Sequence, residues 1–369
     1  MSPITYLCIG LAASAFLLGC ALGNRTPGAA VGSASLLADR SAMSSKIWTP
    51  RRAVIGMFVL LTICMAANAY AVQRFGALPL FASDPDQARF VLARELPGLV
   101  ELLMALAKQV LVIGFIVAAV HRRALSRWSV AALTIMCLAS GMILLAQGGR
   151  LPLLVAIAVG GLAAFMASNA SRWWFLAAVL VLVLPILVVI PLLRETLSYG
   201  GQYFQSLTEF GGGGGLQFLS YPYAALSFNI QNLQLVLEHP DLNGQFGGLL
   251  QYAPFDKLFH LLEESPALPW HELLANWWVT GTALSTFYAD FGWIGVVLES
   301  AAVGGLAMLS FHHMRRRRNE LTWILYAYVA YVLAFTVYVW YPARPEIYFD
   351  VAVFVAFSAF ASRRQARSG

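Results

Sequence analysis

Hydrophobic residues in this chain gather into long runs, and the polar stretches between them hold most of the charge. Nine runs are close to the roughly 20 residues an α-helix needs to cross about 30 Å of hydrocarbon. They are 4–22, 53–72, 98–120, 130–147, 152–168, 173–193, 286–310, 321–340 and 346–361. The pattern predicts an all-α polytopic membrane helix bundle, a single transmembrane domain over 1–369. Composition agrees: 59% of residues are hydrophobic and 11% charged, where a soluble domain has roughly a quarter charged. The two soluble domains that this length would otherwise allow are excluded.

Loop charge sets the expected orientation. Loops 23–52, 121–129, 169–172, 311–320 and the tail together hold 16 basic residues against Asp39 and Glu320. The alternate loops hold seven basic and twelve acidic residues. The N-terminus is therefore expected outside and the C-terminus in the cytoplasm. The net charge of +6 is read as an orientation signal rather than a nucleic-acid footprint. Leu17-Leu18-Gly19-Cys20 resembles a lipoprotein cleavage site. No charge precedes that apolar run, however, and cleavage would strand a five-charge basic loop outside. Cys8, Cys20, Cys64 and Cys137 lie within or at the ends of spans without paired spacing. They are expected to pack as small apolar residues.

Two outer segments are long, 73–97 and 194–285, and long ordered loops on a membrane scaffold tend to be functional. The second is rich in Tyr, Trp and Phe, and its stretch 216–237 is expected to form an amphipathic helix, on the outer leaflet or packed in an outer cap. Aromatic faces with Asn and Gln between them suit sugar rings, although interfacial belts use the same residues. Gly211 to Gly215 lack the Lys-Ser/Thr ending of a phosphate loop and read as a hinge. Asp290-Phe291-Gly292 spells a kinase triplet without the other kinase signatures. Asp84-Pro85-Asp86 has the Asp-x-Asp form of some metal sites, but three letters arise by chance, and no metal or cofactor is assigned.

Ionisable residues inside spans are costly unless paired. Glu101, Asp290 and Asp350 fall near the outer ends of their spans and are expected to rim an outward cavity. Lys108 and Glu299 lie about 15 and 20 Å deep and are expected to pair with each other. Several arginines defy the orientation bias: Arg89, Arg150, Arg194 and Arg344. Their planar forks suit phosphate oxygens, and lipid headgroups or loop carboxylates are the ordinary partners for each alone.

Four stretches resemble the Wzy-type family of bacterial oligosaccharide repeat-unit polymerases. Gly76-Ala-Leu-Pro-Leu-Phe81, with acids and then Ala88-Arg89, is similar to the family's G-x-P-L-F … A-R stretch. Gln147-Gly-Gly-Arg150-Leu-Pro-Leu-Leu is similar to its G-x-R-x-x-L-L turn. Tyr223 to Asn229 resembles a Tyr/Ala/Asn stretch of its large outer loop. The best match runs from Thr282 through Tyr288, Asp290 and Gly292 to Gly295, similar to T-x-L-x-x-F-Y-x-D-F-G-x-x-G.

The resemblance implies a multi-pass glycosyltransferase of the bacterial inner membrane on a GT-C-like scaffold. It would polymerise undecaprenyl-diphosphate-linked oligosaccharides into O-antigen, capsule or exopolysaccharide on the periplasmic face. A flippase and a chain-length regulator of the same pathway would be its partners, besides membrane lipid, and no nucleic acid. Such a reaction needs cations for the departing diphosphate, a base for the acceptor hydroxyl and a groove for two glycans. Arg89, Arg150 and Arg194, with Arg344 behind them, are the candidates for the first. Asp290 leads for the base, with a scaffold carboxylate as its plain alternative, and Glu195 and His271 follow. Tyr223, Asn229, Thr282 and Tyr288 are the candidate sugar contacts. An O-antigen ligase, or a transporter or flippase of the same lipid-linked glycan, is the alternative reading.

Overall fold

The computed structural model describes residues 2–25, 48–148, 150–168, 220–252, 282–336 and 344–362. Among them the structure is helical, with no strand beyond a single bridge between Trp48 and Ser362. The helices are α1 (Pro3–Asn24), α2 (Pro50–Phe75), α3 (Pro85–Glu95), α4 (Gly98–Met104), α5 (Leu106–His121), α6 (Arg127–Ala146), α7 (Arg150–Ala167), α8 (Ser220–Glu238), α9 (Ala283–Arg316), α10 (Glu320–Ala334) and α11 (Pro345–Ala361). Among the described residues, five apolar segments are long enough to cross a membrane: α1, α2, Gly98–Ala124 taken through its break, α6 and α9. Eight of the nine predicted apolar segments coincide with these helices, and 173–193 lies outside the described residues.

The chain divides into two compact units. The first contains α1, most of α8, α9 and the second half of α10. Its spine is the pair α1 and α9. On α1 the buried positions are Thr5, Cys8, Ala12, Ala15, Gly19 and Gly23, a stripe of small residues recurring every three or four positions. The large residues Leu7, Leu17, Leu18 and Leu22 are exposed. A Cβ at Gly19 would run into the carbonyl of Ala301, and one at Gly304 into that of Phe16. The two backbones therefore touch, and the Cys20 thiol donates to the Gly304 carbonyl at 3.3 Å. Burying the small side chains and exposing the large ones is how helices associate in lipid, where leucine gains nothing by hiding.

Helix α8 closes this unit. The predicted amphipathic helix is present, and its buried face carries Asn229, Asn232, Leu233, Val236 and Leu237. The apolar members of that face pack with Cys8 and Ala12 of α1 and with Phe287 and Tyr288 of α9. Within its unit, α8 is thus a packing helix.

The second unit contains α2 to α7, the start of α10 and most of α11. Helix α5 is its centre, with every residue from Leu106 to Gly114 buried. Gly114 admits Cys137 of α6 and Met57 of α2, and Gly160 of α7 takes Phe115 against its backbone. Phe357 of α11 rests on Gly56 of α2. At one end, Thr49 N–H donates to Ala361 O at 2.8 Å and the Trp48 indole to Ser358 Oγ at 3.0 Å. His121 and Glu320, both buried, pair at 3.0 Å beside them.

Two expectations about charged residues fail. Lys108 pairs with Asp350 at 2.5 Å, not with Glu299, and the Gln109 amide donates to the same carboxylate. Asp350 is completely buried and so does not rim a cavity. Depth for Lys108 is counted along a straight third span, whereas the chain breaks at Ala105 between α4 and α5. Asp350 is placed by its nearness to the start of its own span, and its pairing with Lys108 takes it into the interior. Glu299 instead accepts a hydrogen bond from Gln251 at 2.9 Å.

Candidate functional site

Most of the sequence-predicted residues that the structure describes fall at two places, one in each unit. In the second unit the place is the hairpin joining α6 to α7. Gln147, the last residue before its turn, donates from Nε2 to Asn68 Oδ1 and to Met104 O, both at 3.0 Å. The Cys64 thiol reaches the same Met104 carbonyl at 3.2 Å. Ending α4 at Met104 frees that carbonyl from helical bonding, and an unpaired carbonyl in a protein interior is costly. Gln147 and Cys64 satisfy it, which ties the hairpin to the helix break.

Gly148, at φ +71, makes the turn and lies against Pro79 of the first predicted outer segment. That segment carries a short 3-10 turn, Pro79–Phe81, followed by α3. Asp84 caps α3 by accepting the Gln87 N–H at 3.0 Å, so its place in Asp84-Pro85-Asp86 is that of a helix cap. Leu92 of α3 and Leu96, just past its end, pack on Ala67 and Ala71 of α2 and on Met104. Arg89 therefore stands on a helix anchored at the same end of the unit as Arg150, which begins α7. A helix start presents free N–H groups and the positive end of a dipole, suited to an anion.

The second place is the upper part of α9, where the strongest of the four resemblances lies. Thr282 caps this helix by accepting the Ser285 N–H at 3.3 Å. Tyr288 is buried in the unit's core, its ring edge-on to Trp293 at 5.5 Å. Asn229, the candidate on α8, is also fully buried. These three candidate sugar contacts are turned into the protein. Cap and core packing consume residues whose types alone suggested a glycan surface.

Asp290 is fully buried as well, so the expectation that it rims a cavity fails. The reason lies in the next two residues. Phe291 and Gly292 leave helical geometry, Gly292 with φ +63, and α9 is kinked there. The carbonyls of Tyr288, Ala289 and Asp290 are taken up by the backbone N–H groups of Gly244, Phe246 and Gly247, at 3.1, 3.1 and 2.8 Å. The loop that supplies them turns on three left-handed glycines, Gly244, Gly247 and Gly248. A side chain at Gly292 would collide with the Asn243 amide. Asp290 completes the dock: Oδ1 accepts the Leu250 N–H at 3.0 Å, and the amides of Gly248 and Gln251 approach the same carboxylate. None reaches Oδ2 with hydrogen-bond geometry.

Arg344 is exposed and stands immediately before α11. Tyr223 lies in the first turn of α8. Arg194, Glu195, His271 and Gly211 to Gly215 lie outside the described residues. Sequence reasoning missed Gln147, Asn68 and Gln251. The signal for Gln251 was present in Asn243-Gly-Gln-Phe-Gly-Gly248, whose glycine spacing marks a tight backbone approach. Among the described residues, no cluster of three or more His, Cys, Asp or Glu could hold a metal. No family model matches this chain, and neither does any curated protein or solved structure.

Proposed function

We propose that this chain is a multi-pass membrane glycosyltransferase that joins lipid-diphosphate-linked oligosaccharide units. In that reaction the anomeric carbon of the growing chain leaves its diphosphate and bonds to a hydroxyl of the next lipid-linked unit. That hydroxyl gives up its proton, and the lipid diphosphate departs. The helices support the membrane part of this reading, with small residues buried and leucines exposed along α1.

The observation that carries the chemical part is the tethered hairpin. Gln147 fixes the turn, the turn fixes the start of α7 at Arg150, and the segment bearing Arg89 is anchored at the same end. Arginines held on helices, one of them at a helix start, suit a diphosphate leaving group. The orientation of the chain, with N-terminus outside and C-terminus in the cytoplasm, follows from the loop charges and sets this end toward the outer leaflet. Asp290 serves in this reading as a positioning residue, because its carboxylate is buried in the dock of the glycine loop.

Removing the gene from its host tests the reading. The expected result is surface glycan capped with single repeat units. Complete loss of attached glycan would identify a ligase, and units trapped in the inner leaflet would identify a flippase.

A further inference from the structure

Three helices of the second unit meet at Gly114 of α5, which admits Met57 of α2 and Cys137 of α6. From that point α5 runs on to His121, α6 runs back to Arg127 and α2 runs back to Pro50, about 10–15 Å in each case. Their ends therefore lie together. Between α5 and α6 a 3-10 turn, Arg122–Ala124, carries two arginines, and Arg127 follows at the start of α6. Arg51 and Arg52 stand in the first turn of α2. All five side chains are exposed.

No acid answers this charge. Among the described residues, Arg122, Arg123 and Arg127 make no ion pair, and the first turns of α2 and α6 hold no carboxylate. Glu320 is buried and already held by His121. Arg52 donates to Ser362 O at 3.0 Å, a neutral partner. Like charges this close repel one another until an anion comes between them.

Helix α6 shows which kind of anion. Trp128 is 86% exposed, and Ile135, Leu138 and Met142 are each 65% exposed. Steps of seven, three and four place them on one face of the helix. That face begins with an indole beside Arg127 and runs about 20 Å away from the arginines. Charge, then indole, then hydrocarbon is the order of a bilayer interface. A soluble anion or an acidic protein segment would answer the guanidinium groups and leave the apolar face bare. A phospholipid covers both.

We propose that Arg122, Arg123 and Arg127 bind the phosphate of an anionic phospholipid whose acyl chain lies along Trp128, Ile135, Leu138 and Met142. Guanidinium forks suit phosphate oxygens. A zwitterionic headgroup brings its own ammonium among the arginines, so the site selects lipids of net negative charge. Each arginine that engages such a headgroup is worth about fivefold in affinity, and two acting together exceed about tenfold. The site rests on the membrane part of the reading above and is independent of glycosyl transfer.

The test reconstitutes the full chain in phosphatidylcholine vesicles at large lipid excess. Quenching of Trp128 is read as the difference between the parent and Trp128→Phe. The quencher is phosphatidylglycerol brominated on its acyl chains, or phosphatidylcholine brominated likewise. Half-quenching is expected at a mole fraction more than about tenfold lower for the phosphatidylglycerol. Replacing Arg122, Arg123 and Arg127 together by Gln is expected to bring the two lipids level. Arg315→Gln with Arg316→Gln, which removes charge from the end of α9 in the first unit, is expected to keep the preference. Equal quenching by both lipids in the parent overturns the proposal and leaves the membrane reading standing; quenching by neither contradicts both. Loss of the preference in the α9 variant would mean diffuse attraction, and recovery of emission on adding inorganic phosphate would mean a soluble anion. Either result overturns the proposal.

Discussion

Lys108 shows how a single residue decides what its neighbours must be. An ammonium group in the buried first turn of α5 needs a counter-charge, and Asp350 supplies it at 2.5 Å with Gln109 on the same carboxylate. Breaking one side of such a pair leaves the other charge buried and alone, whereas replacing both with apolar residues of similar volume is close to neutral. Asp350→Leu is expected to cost about 3–5 kcal/mol, and Lys108→Met with Asp350→Leu to recover most of it. Denaturation of the purified variants in detergent measures both. A double variant as unstable as the single one would mean that the pair does not act as a unit. The sequence marked Lys108 as needing a partner but not which one. Asp350 is far along the chain, and counting depth along an unbroken helix hid the offset introduced at Ala105. Asp290 was legible as special for a related reason, but its buried place was not. Its neighbours Phe291 and Gly292 belong to a helix kink, and the carboxylate serves the loop docked there.

At the scale of elements, the helices themselves were legible, because an apolar run of about 20 residues has few other folds open to it. Their contacts were less so. The stripe Cys8, Ala12, Ala15, Gly19, Gly23 is written in the sequence, yet only its close fit to Ala301, Gly304 and Gly305 shows which helix it meets. Gly10 and Gly19 make a controlled comparison on one helix. A side chain at Gly10 meets nothing within 4 Å, while one at Gly19 meets the Ala301 backbone. Gly19→Leu is expected to cost about 1–3 kcal/mol through overpacking. Gly10→Leu should fall within about 0.5 kcal/mol of the parent. Equal effects on thermal unfolding would contradict the α1–α9 contact. The turn after Gln147 was legible, but its tether was not: the hydrogen bonds of Gln147 go to Asn68 and to a carbonyl released by a helix break, and breaks of that kind leave no periodic trace.

For the whole molecule, charge and hydropathy carry the account furthest. Sixteen basic residues on one set of loops, against seven on the other, are the basis of the proposed orientation and single out the arginines that run against the bias. Arg89 and Arg150 belong to that minority, and both stand on helices anchored at one end of the second unit. The central claim is that this arrangement serves glycosyl transfer between lipid-linked units. The most direct measurement mixes the purified chain in lipid with undecaprenyl-diphosphate-linked repeat units and follows both products. A ladder of longer glycans is expected, with one lipid diphosphate released per joined unit, and Arg150→Ala should slow it about a hundredfold. Units that stay single, or that cross the bilayer without lengthening, would contradict the claim.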